Sequence, residues 1–303
     1  MVKLTLGINN CWAVKRYVSP REWIEITASE LELNVVQFSF DLLDPRTKPA
    51  ARDSMIWEIL DSAREYGVVI HSAFTGLAAY SFNLLMHPDP GIRADALDWY
   101  ESAIEVASRL NVEGVGGHVA AMTWKDYKDE ERRKYLIKVL IENLKYLSKV
   151  AKAKNVKMLL WEPMPVAREP PATIDEAKEL LKLANEDSYV PIKLCIDVGH
   201  ACNPWASDKK DLDPYEWLRE LGSESPCIHV QQTDGKADRH WPFTEEYNKI
   251  GIIRPEKLIE ALEGSGSKEN YLFLEIIHPF EYREDKVIED LKASVKYWKE
   301  FIQ

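Results

Sequence analysis

The stretch Lys157-Met-Leu-Leu-Trp-Glu162, followed at once by Pro163-Met-Pro165, decides how this chain folds. A short apolar run that prolines terminate is typical of a buried β-strand. This run ends in a carboxylate, and burying a carboxylate is costly unless it is paired, hydrogen-bonded or bound to a metal. We therefore expect Glu162 to meet partners at the end of a strand.

Three later stretches have the same design, a short apolar run with a metal-ligand type of residue at or near its end. They are residues 192–197, which end in Asp197, residues 227–232, which carry His229, and residues 271–275, which end in Glu275. Each is separated from the next by enough chain for a loop and a helix. Together with Glu162 these residues form a candidate metal site.

The first half of the chain shows the same alternation of strands and helices. Strands are predicted at residues 4–8, 35–39, 68–73 and 112–118, and helices at residues 50–66, 88–110 and 129–154 and from Pro20. In the second half, Thr173 and Glu176 have the spacing of a capping box, which marks a helix start. Further helices are predicted at residues 214–221, 254–262 and 283–302.

Eight strands that alternate with eight helices favour an α/β fold with a parallel sheet. We expect one (β/α)₈ TIM barrel that covers residues 1–303 as a single domain, because no linker or composition shift divides the chain. The first strand is not followed by a GxGxxG fingerprint, which disfavours a dinucleotide-binding fold. In barrels the active site lies at the carboxyl ends of the strands, where the four candidate ligands would converge.

Composition narrows the function further. The net charge of −11 argues against a nucleic-acid partner, and the apolar content of 46% argues against disorder. The sequence contains no apolar run long enough to predict a membrane helix, and its first residues do not form a signal peptide. Its four cysteines form no CxxC pair, so we expect reduced, buried thiols in a cytoplasmic protein. The sequence leaves a homo-oligomer open as a partner.

Three carboxylates and one imidazole suit a hard or borderline divalent cation. We expect Mn²⁺, with Mg²⁺, Co²⁺ and Zn²⁺ as alternatives. His71 and His118 lie near the ends of strands three and four, so they are predicted to face the same barrel mouth and contact substrate, or to form its hydrogen-bonded shell. Gln231 shares a strand face with His229 and could be a ligand or a neighbour.

The segments Trp-Glu162-Pro, Ile-Asp197-Val-Gly-His200, Ile-His229-Val and Phe-Leu-Glu275 resemble the xylose isomerase-like superfamily of sugar isomerases and epimerases. Within it, the ketose 3-epimerases and the L-rhamnose isomerase-related enzymes are most similar. The resemblance implies that these four residues bind one divalent metal, that Glu162 and Glu275 are catalytic, and that His200 contacts substrate oxygens. The reaction would proceed through an enediolate.

The resemblance also implies a basic residue after the strand-seven histidine, for which Lys236 and Arg239 are the candidates. Their loop could bind the phosphate of a sugar phosphate or contact hydroxyl groups. The predicted function is a metal-dependent isomerase or epimerase of a ketose or ketose phosphate. The alternatives are an endonuclease IV-like phosphodiesterase, a polyol dehydratase and a non-catalytic sugar-binding barrel.

Overall fold

The computed structural model describes residues 2–302, and eight parallel strands close into one barrel in chain order. The first strand pairs with both the second and the eighth, which completes the cylinder. The strands are β1 Lys3–Asn9, β2 Val35–Ser39, β3 Val69–Phe74, β4 Gly114–Gly117, β5 Met158–Trp161, β6 Ile192–Asp197, β7 Cys227–Val230 and β8 Glu269–Leu274. The predicted TIM barrel is confirmed.

The helices follow the strands as expected and surround the barrel. They are α1 Pro20–Glu25, α2 Pro49–Tyr66, α3 Leu77–Tyr80, α4 Pro90–Arg109, α5 Trp124–Lys128, α6 Glu130–Ala153, α7 Ile174–Asn185, α8 Pro214–Leu221, α9 Glu245–Ile250, α10 Pro255–Gly264 and α11 Glu284–Lys299. Three short helices, α3, α5 and α9, were not predicted. They lie in the loops after β3, β4 and β7, and each has six residues or fewer.

Side-chain capping fixes several helix starts. The Thr173 hydroxyl accepts a hydrogen bond from the backbone N–H of Glu176, and the Glu176 carboxylate accepts one from the N–H of Ala172. These bonds satisfy backbone donors that the first turn of a helix leaves free. The predicted capping box at α7 is thus confirmed, except that the Glu176 carboxylate bonds the N–H of the residue before the cap and not that of Thr173 itself.

Two apolar layers pack on either side of the strands. Inside the barrel, a small cluster includes Phe74, Leu160, Cys195, Cys227 and Phe273, all at most 1% exposed. The larger cluster lies between the strands and the surrounding helices. Because strand side chains alternate, Asp197 and His229 stand two residues above Cys195 and Cys227 on the same inward face. The barrel filling therefore forms the floor of the candidate site.

The glycines of β4 permit close packing against the neighbouring strand. A Cβ on Gly116 would lie 1.8 Å from the carbonyl oxygen of Leu160 in β5. Gly117 has a φ of +127°, where a side chain would also be strained. These glycines place the end of β4, and His118 after it, against β5.

The cysteine prediction holds only in part. All four thiols are free, but only Cys195 and Cys227 are buried, whereas Cys11 and Cys202 are partly exposed because they lie in loops at the barrel mouth. In the described chain, no helix is both long and apolar enough to cross a membrane.

Candidate metal centre

The four predicted ligands converge at the carboxyl ends of the last four strands. Glu162 directly follows β5, Asp197 ends β6, His229 lies within β7 and Glu275 directly follows β8. One ligand atom from each lies within 4.8 Å of the ligand atoms of the others, and all four side chains are buried. Residues separated by more than a hundred positions thus form one compact cluster of three carboxylates and one imidazole.

The His229 imidazole stands at the middle of this cluster. Its Nδ1 lies 2.9 Å from Glu275 Oε2, 3.3 Å from Glu162 Oε1 and 3.9 Å from Asp197 Oδ2. Nevertheless Nδ1 is a buried nitrogen that makes no hydrogen bond of acceptable geometry within residues 2–302. An imidazole nitrogen facing three carboxylates is the donor set that a divalent cation would complete.

The opposite ring nitrogen of His229 is held by Gln37 in β2. Nε2 lies 2.5 Å from Gln37 Oε1, and Asn9 donates a second hydrogen bond to the same oxygen at 2.9 Å. The Gln37 amide therefore presents its oxygen to His229, so Nε2 carries a hydrogen and Nδ1 is free to coordinate. Metal-binding histidines commonly donate their other N–H in this way.

Neighbouring amides orient two of the carboxylates as well. Asn9 donates to Glu275 Oε1 at 3.0 Å, and Gln231 Nε2 lies 3.0 and 3.1 Å from the two Asp197 oxygens. Gln231 Oε1 accepts hydrogen bonds from the backbone of Arg239 and His240, which fixes the amide orientation. The donor side of Gln231 therefore faces Asp197, so Gln231 is a neighbour of the cluster that positions the Asp197 carboxylate.

The charges in the cluster are strongly coupled. Burial raises the pKa of the Asp197 carboxyl to about 6. Burial opposes the charged form of His229, but the nearby Cys195 and Glu275 raise its pKa well above the usual value. Buried carboxylates thus need a positive charge among them, and a divalent cation would supply it while leaving the imidazole neutral.

A cavity opens above the cluster, and Glu162 and Glu275 form part of its wall. Its walls come from the segments that follow all eight strands. They comprise Cys11, Asp41, Thr75, Gly76, Leu77, Tyr80, His118, Glu162, Met164, His200, Asp238, His240, Glu275 and Ile277. A second, more apolar cavity shares Asp41 and Gly76 with it but contains none of the four cluster residues.

His118 is the least satisfied polar group in the cavity wall. It is 2% exposed, and neither of its ring nitrogens has a hydrogen-bond partner in the described structure. Burial lowers the pKa of His118 to about 3, so the ring is neutral at pH 7. A neutral imidazole offers one donor and one acceptor, which matches the two hydrogen-bonding roles of a hydroxyl group.

Comparison with known proteins now identifies the family. A family model described as the xylose isomerase-like TIM barrel matches residues 27–300. The chain belongs to this family. A curated relative, the D-erythrulose 1-phosphate 3-epimerase of Brucella abortus (strain 2308), is 30% identical over 299 residues, which cover 97% of this chain and 95% of the relative.

Solved structures of other proteins share the whole fold. A Rhodospirillum rubrum protein provisionally named xylose isomerase superposes with a TM-score of 0.91 at 30% identity, over 98% of this chain and 99% of its own. D-psicose 3-epimerase from Clostridium cellulolyticum H10, solved with D-tagatose, has a TM-score of 0.73 at 18% identity, over 99% of each chain. At that identity the second likeness concerns the fold alone.

The structure brings only some of the predicted substrate residues to the cavity. His118 and His200 line it, whereas His71 does not. His71 points into the barrel below the ligands, where its ring lies 3.9 Å from the ring of Tyr271, and burial lowers its pKa to about 4. The expectation that His71 faces the mouth is wrong because β2 and β3 shift register between Val36 and Gln37 and because His71 lies three residues before the end of β3.

Lys236 and Arg239 also lie outside the cavity wall. The Arg239 guanidinium donates to both Asp234 oxygens at 3.1 Å and lies over the Trp241 ring, and Lys236 is exposed. Their placement as cavity residues is thus not supported, because local partners hold the arginine outside. The same loop instead sends Asp238 and His240 into the cavity, which the sequence analysis missed although both flank Arg239.

Asp238 links two of the wall histidines. Its Oδ2 lies 3.0 Å from His240 Nε2 and 3.4 Å from His200 Nε2, and His200 Nδ1 lies 2.8 Å from the carbonyl oxygen of Pro163. Burial opposes a charge on His240, but Asp238 raises its pKa to about 10. One ligand-type atom from each of Asp197, His200 and His240 also lies within 4.8 Å of those of the other two.

Proposed function

We propose that this chain is a divalent-metal-dependent epimerase or isomerase of a ketose or ketose phosphate. One observation carries the proposal: Glu162, Asp197 and Glu275 surround the unpartnered Nδ1 of His229 at the floor of a small cavity. The curated relative is a 3-epimerase of a ketose phosphate, and this supports the substrate class. Mn²⁺ is the expected ion, with Mg²⁺, Co²⁺ and Zn²⁺ as alternatives.

Epimerisation beside a carbonyl requires that a proton leave one face of a carbon and that a proton return to the other face. A bound divalent cation would supply positive charge that stabilises the enediolate oxyanion as a Lewis acid. Glu162 and Glu275 approach His229 from β5 and β8, so they flank the centre of the site. In this proposal one carboxylate accepts the proton and the other donates one, which is general acid–base catalysis.

The histidines in the wall would position the sugar. His118 offers one donor and one acceptor without losing any bond to the protein, and His200 is held by Pro163 and Asp238. Hydrogen bonds to sugar hydroxyls from such fixed groups orient the reacting carbon between the two glutamates. The buried floor of the cavity also limits water near the intermediate.

An endonuclease IV-like phosphodiesterase is the alternative that has an observation in its favour. Asp197, His200 and His240 form a second group with metal-ligand geometry, and that chemistry uses several metals. The net charge of −11 and the ketose-phosphate relative favour the epimerase. The number of metal ions bound per purified chain distinguishes the epimerase from the phosphodiesterase, because the proposed epimerase needs one principal ion.

Hydrogen exchange tests the proposal directly. The purified protein, loaded with Mn²⁺, is incubated in D₂O with a panel of ketoses and ketose phosphates, and the sugars are followed by NMR. We expect deuterium at the carbon next to the carbonyl together with a new epimer or isomer, and loss of both after chelation. Failure of every ketose and ketose phosphate to exchange with the metal-loaded protein would reject the function.

A further inference from the structure

A phosphorylated ketose would need a cation near the cavity, and the cavity wall contains no lysine or arginine among residues 2–302. Arg239 is already bound by Asp234, and Lys236 is exposed outside the wall. A phosphate that extends from the cavity would therefore have to meet another cation outside the wall.

Arg168 lies in the loop between β5 and α7, which also supplies Met164 to the cavity wall. Its carbonyl oxygen accepts a hydrogen bond of 2.8 Å from the N–H of Met122, four residues beyond His118. The loops after β4 and β5 are thus tied together at Arg168. The Arg168 side chain lines a neighbouring pocket with Trp124, Tyr127 and Trp205, and the adjacent Glu169 acts electrostatically on Tyr80 in the cavity wall.

The positive charge of Arg168 influences the pKa of two residues in the cavity wall, His118 and Tyr80. Burial lowers the pKa of His118, and the charges of His200 and Arg168 lower it further. Burial and Glu169 raise the pKa of Tyr80 to about 12, and Arg168 acts in the opposite direction. Both residues line the cavity, so Arg168 stands within electrostatic reach of a ligand there.

The guanidinium of Arg168 is positioned but not saturated. Its Nη1 lies 3.0 Å from Glu169 Oε1, and its remaining N–H groups have no hydrogen-bond partner in the described part of the chain. The Arg168 side chain is 40% exposed, whereas that of Glu169 is 4% exposed. Glu169 thus pairs with one nitrogen of the guanidinium and leaves the other N–H groups open.

An open guanidinium edge suits a phosphate group, because two parallel N–H donors match two phosphate oxygens. We propose that Arg168 binds the phosphate of a phosphorylated ketose at the rim of the cavity, while the rest of the sugar lies over the Glu162, Asp197, His229 and Glu275 cluster. This inference rests on the proposed function and specifies its substrate class. It replaces Lys236 and Arg239 as the residues that select for phosphate.

Two kinds of measurement test this site, and one of them does not depend on turnover. Calorimetry with inorganic phosphate as the probe compares the metal-loaded wild type, Arg168→Ala and the matched control Arg239→Ala. We expect about a 10- to 100-fold loss of phosphate affinity in Arg168→Ala, the size of a charge-assisted pair of hydrogen bonds, and no change in the control. Equal binding by wild type and Arg168→Ala would overturn the proposal.

Kinetics then separates recognition from a merely structural role. For a ketose 1-phosphate, Arg168→Ala should raise KM about 10- to 100-fold with little change in kcat, while kcat/KM for the free ketose stays constant. Arg168→Lys should recover part of the loss, since lysine restores the charge without the fork. Equal losses on both substrates would instead assign Arg168 to loop structure. If the wild type acts on no ketose at all, the proposed function fails, and phosphate calorimetry still decides the role of Arg168.

Discussion

Replacing Gln37 with leucine should weaken metal binding although Gln37 is not a ligand. Its Oε1 lies 2.5 Å from His229 Nε2, and this contact holds the imidazole so that Nδ1 faces the carboxylates. Leucine is similar in volume but cannot accept the N–H. The His229 ring would lose its orientation, and a buried N–H would be left unpaired at a cost of about 1–3 kcal/mol.

We expect the Mn²⁺ dissociation constant of Gln37→Leu to rise about 10- to 100-fold, the usual effect of losing such a supporting hydrogen bond. This corresponds to about 1.4–2.8 kcal/mol of binding free energy, because tenfold is about 1.4 kcal/mol. The affinity is measured by competition with a chromogenic chelator at pH 7.5. Asn9 keeps its bond to Glu275, so that ligand should stay in place.

Ser72→Ala is the matched control. Ser72 is fully buried and accepts a hydrogen bond of 3.2 Å from the nitrogen of the same Gln37 amide, but it does not contact His229. This variant should lose about 1 kcal/mol of unfolding free energy while its Mn²⁺ affinity stays within about threefold of wild type. If Gln37→Leu binds Mn²⁺ as tightly as wild type, His229 does not depend on Gln37 to present Nδ1, and the reasoning is wrong.

Three other predictions concern the same site. Glu162→Gln and Glu275→Gln should each lower turnover by at least about 10²-fold, measured beside metal content, and full activity in either variant with metal retained would remove that residue from the mechanism. Burial raises the pKa of Asp197 to about 6, compared with about 3.9 in the unfolded chain. The protonated carboxyl therefore stabilises the metal-free fold below about pH 4, and this stabilisation is lost as the pH rises through about 6. Mn²⁺ should therefore raise Tm more at pH 8 than at pH 5, and equal shifts would contradict this. His118→Leu should lower kcat/KM at least about tenfold. Its unfolding free energy should stay within about 1 kcal/mol of wild type, because His118 has no hydrogen bond to lose within the described chain. A large loss of stability in urea unfolding would instead reveal an unrecognised structural role.

Local patterns in the sequence were sufficient to predict the fold and the residues of the candidate metal cluster. Apolar runs such as residues 158–161 and helix signals such as Thr173 depend on neighbours in the chain, so they can be read without the fold. Once eight such units close a barrel, parallel strands bring their carboxyl ends to one face. The convergence of Glu162 and Glu275 follows from that geometry, because both directly follow their strands.

The contacts that organise the site could not be predicted in the same way. The register shift between β2 and β3, the bond between Gln37 and His229, and the inward position of His71 depend on how strands far apart in sequence align. In the loop after β7, Asp234 holds Arg239 outside while Asp238 reaches His240 in the cavity. The orientation of a loop side chain depends on partners that are distant in sequence and not on a regular local repeat. Only the tertiary structure therefore decides which loop side chains face the substrate.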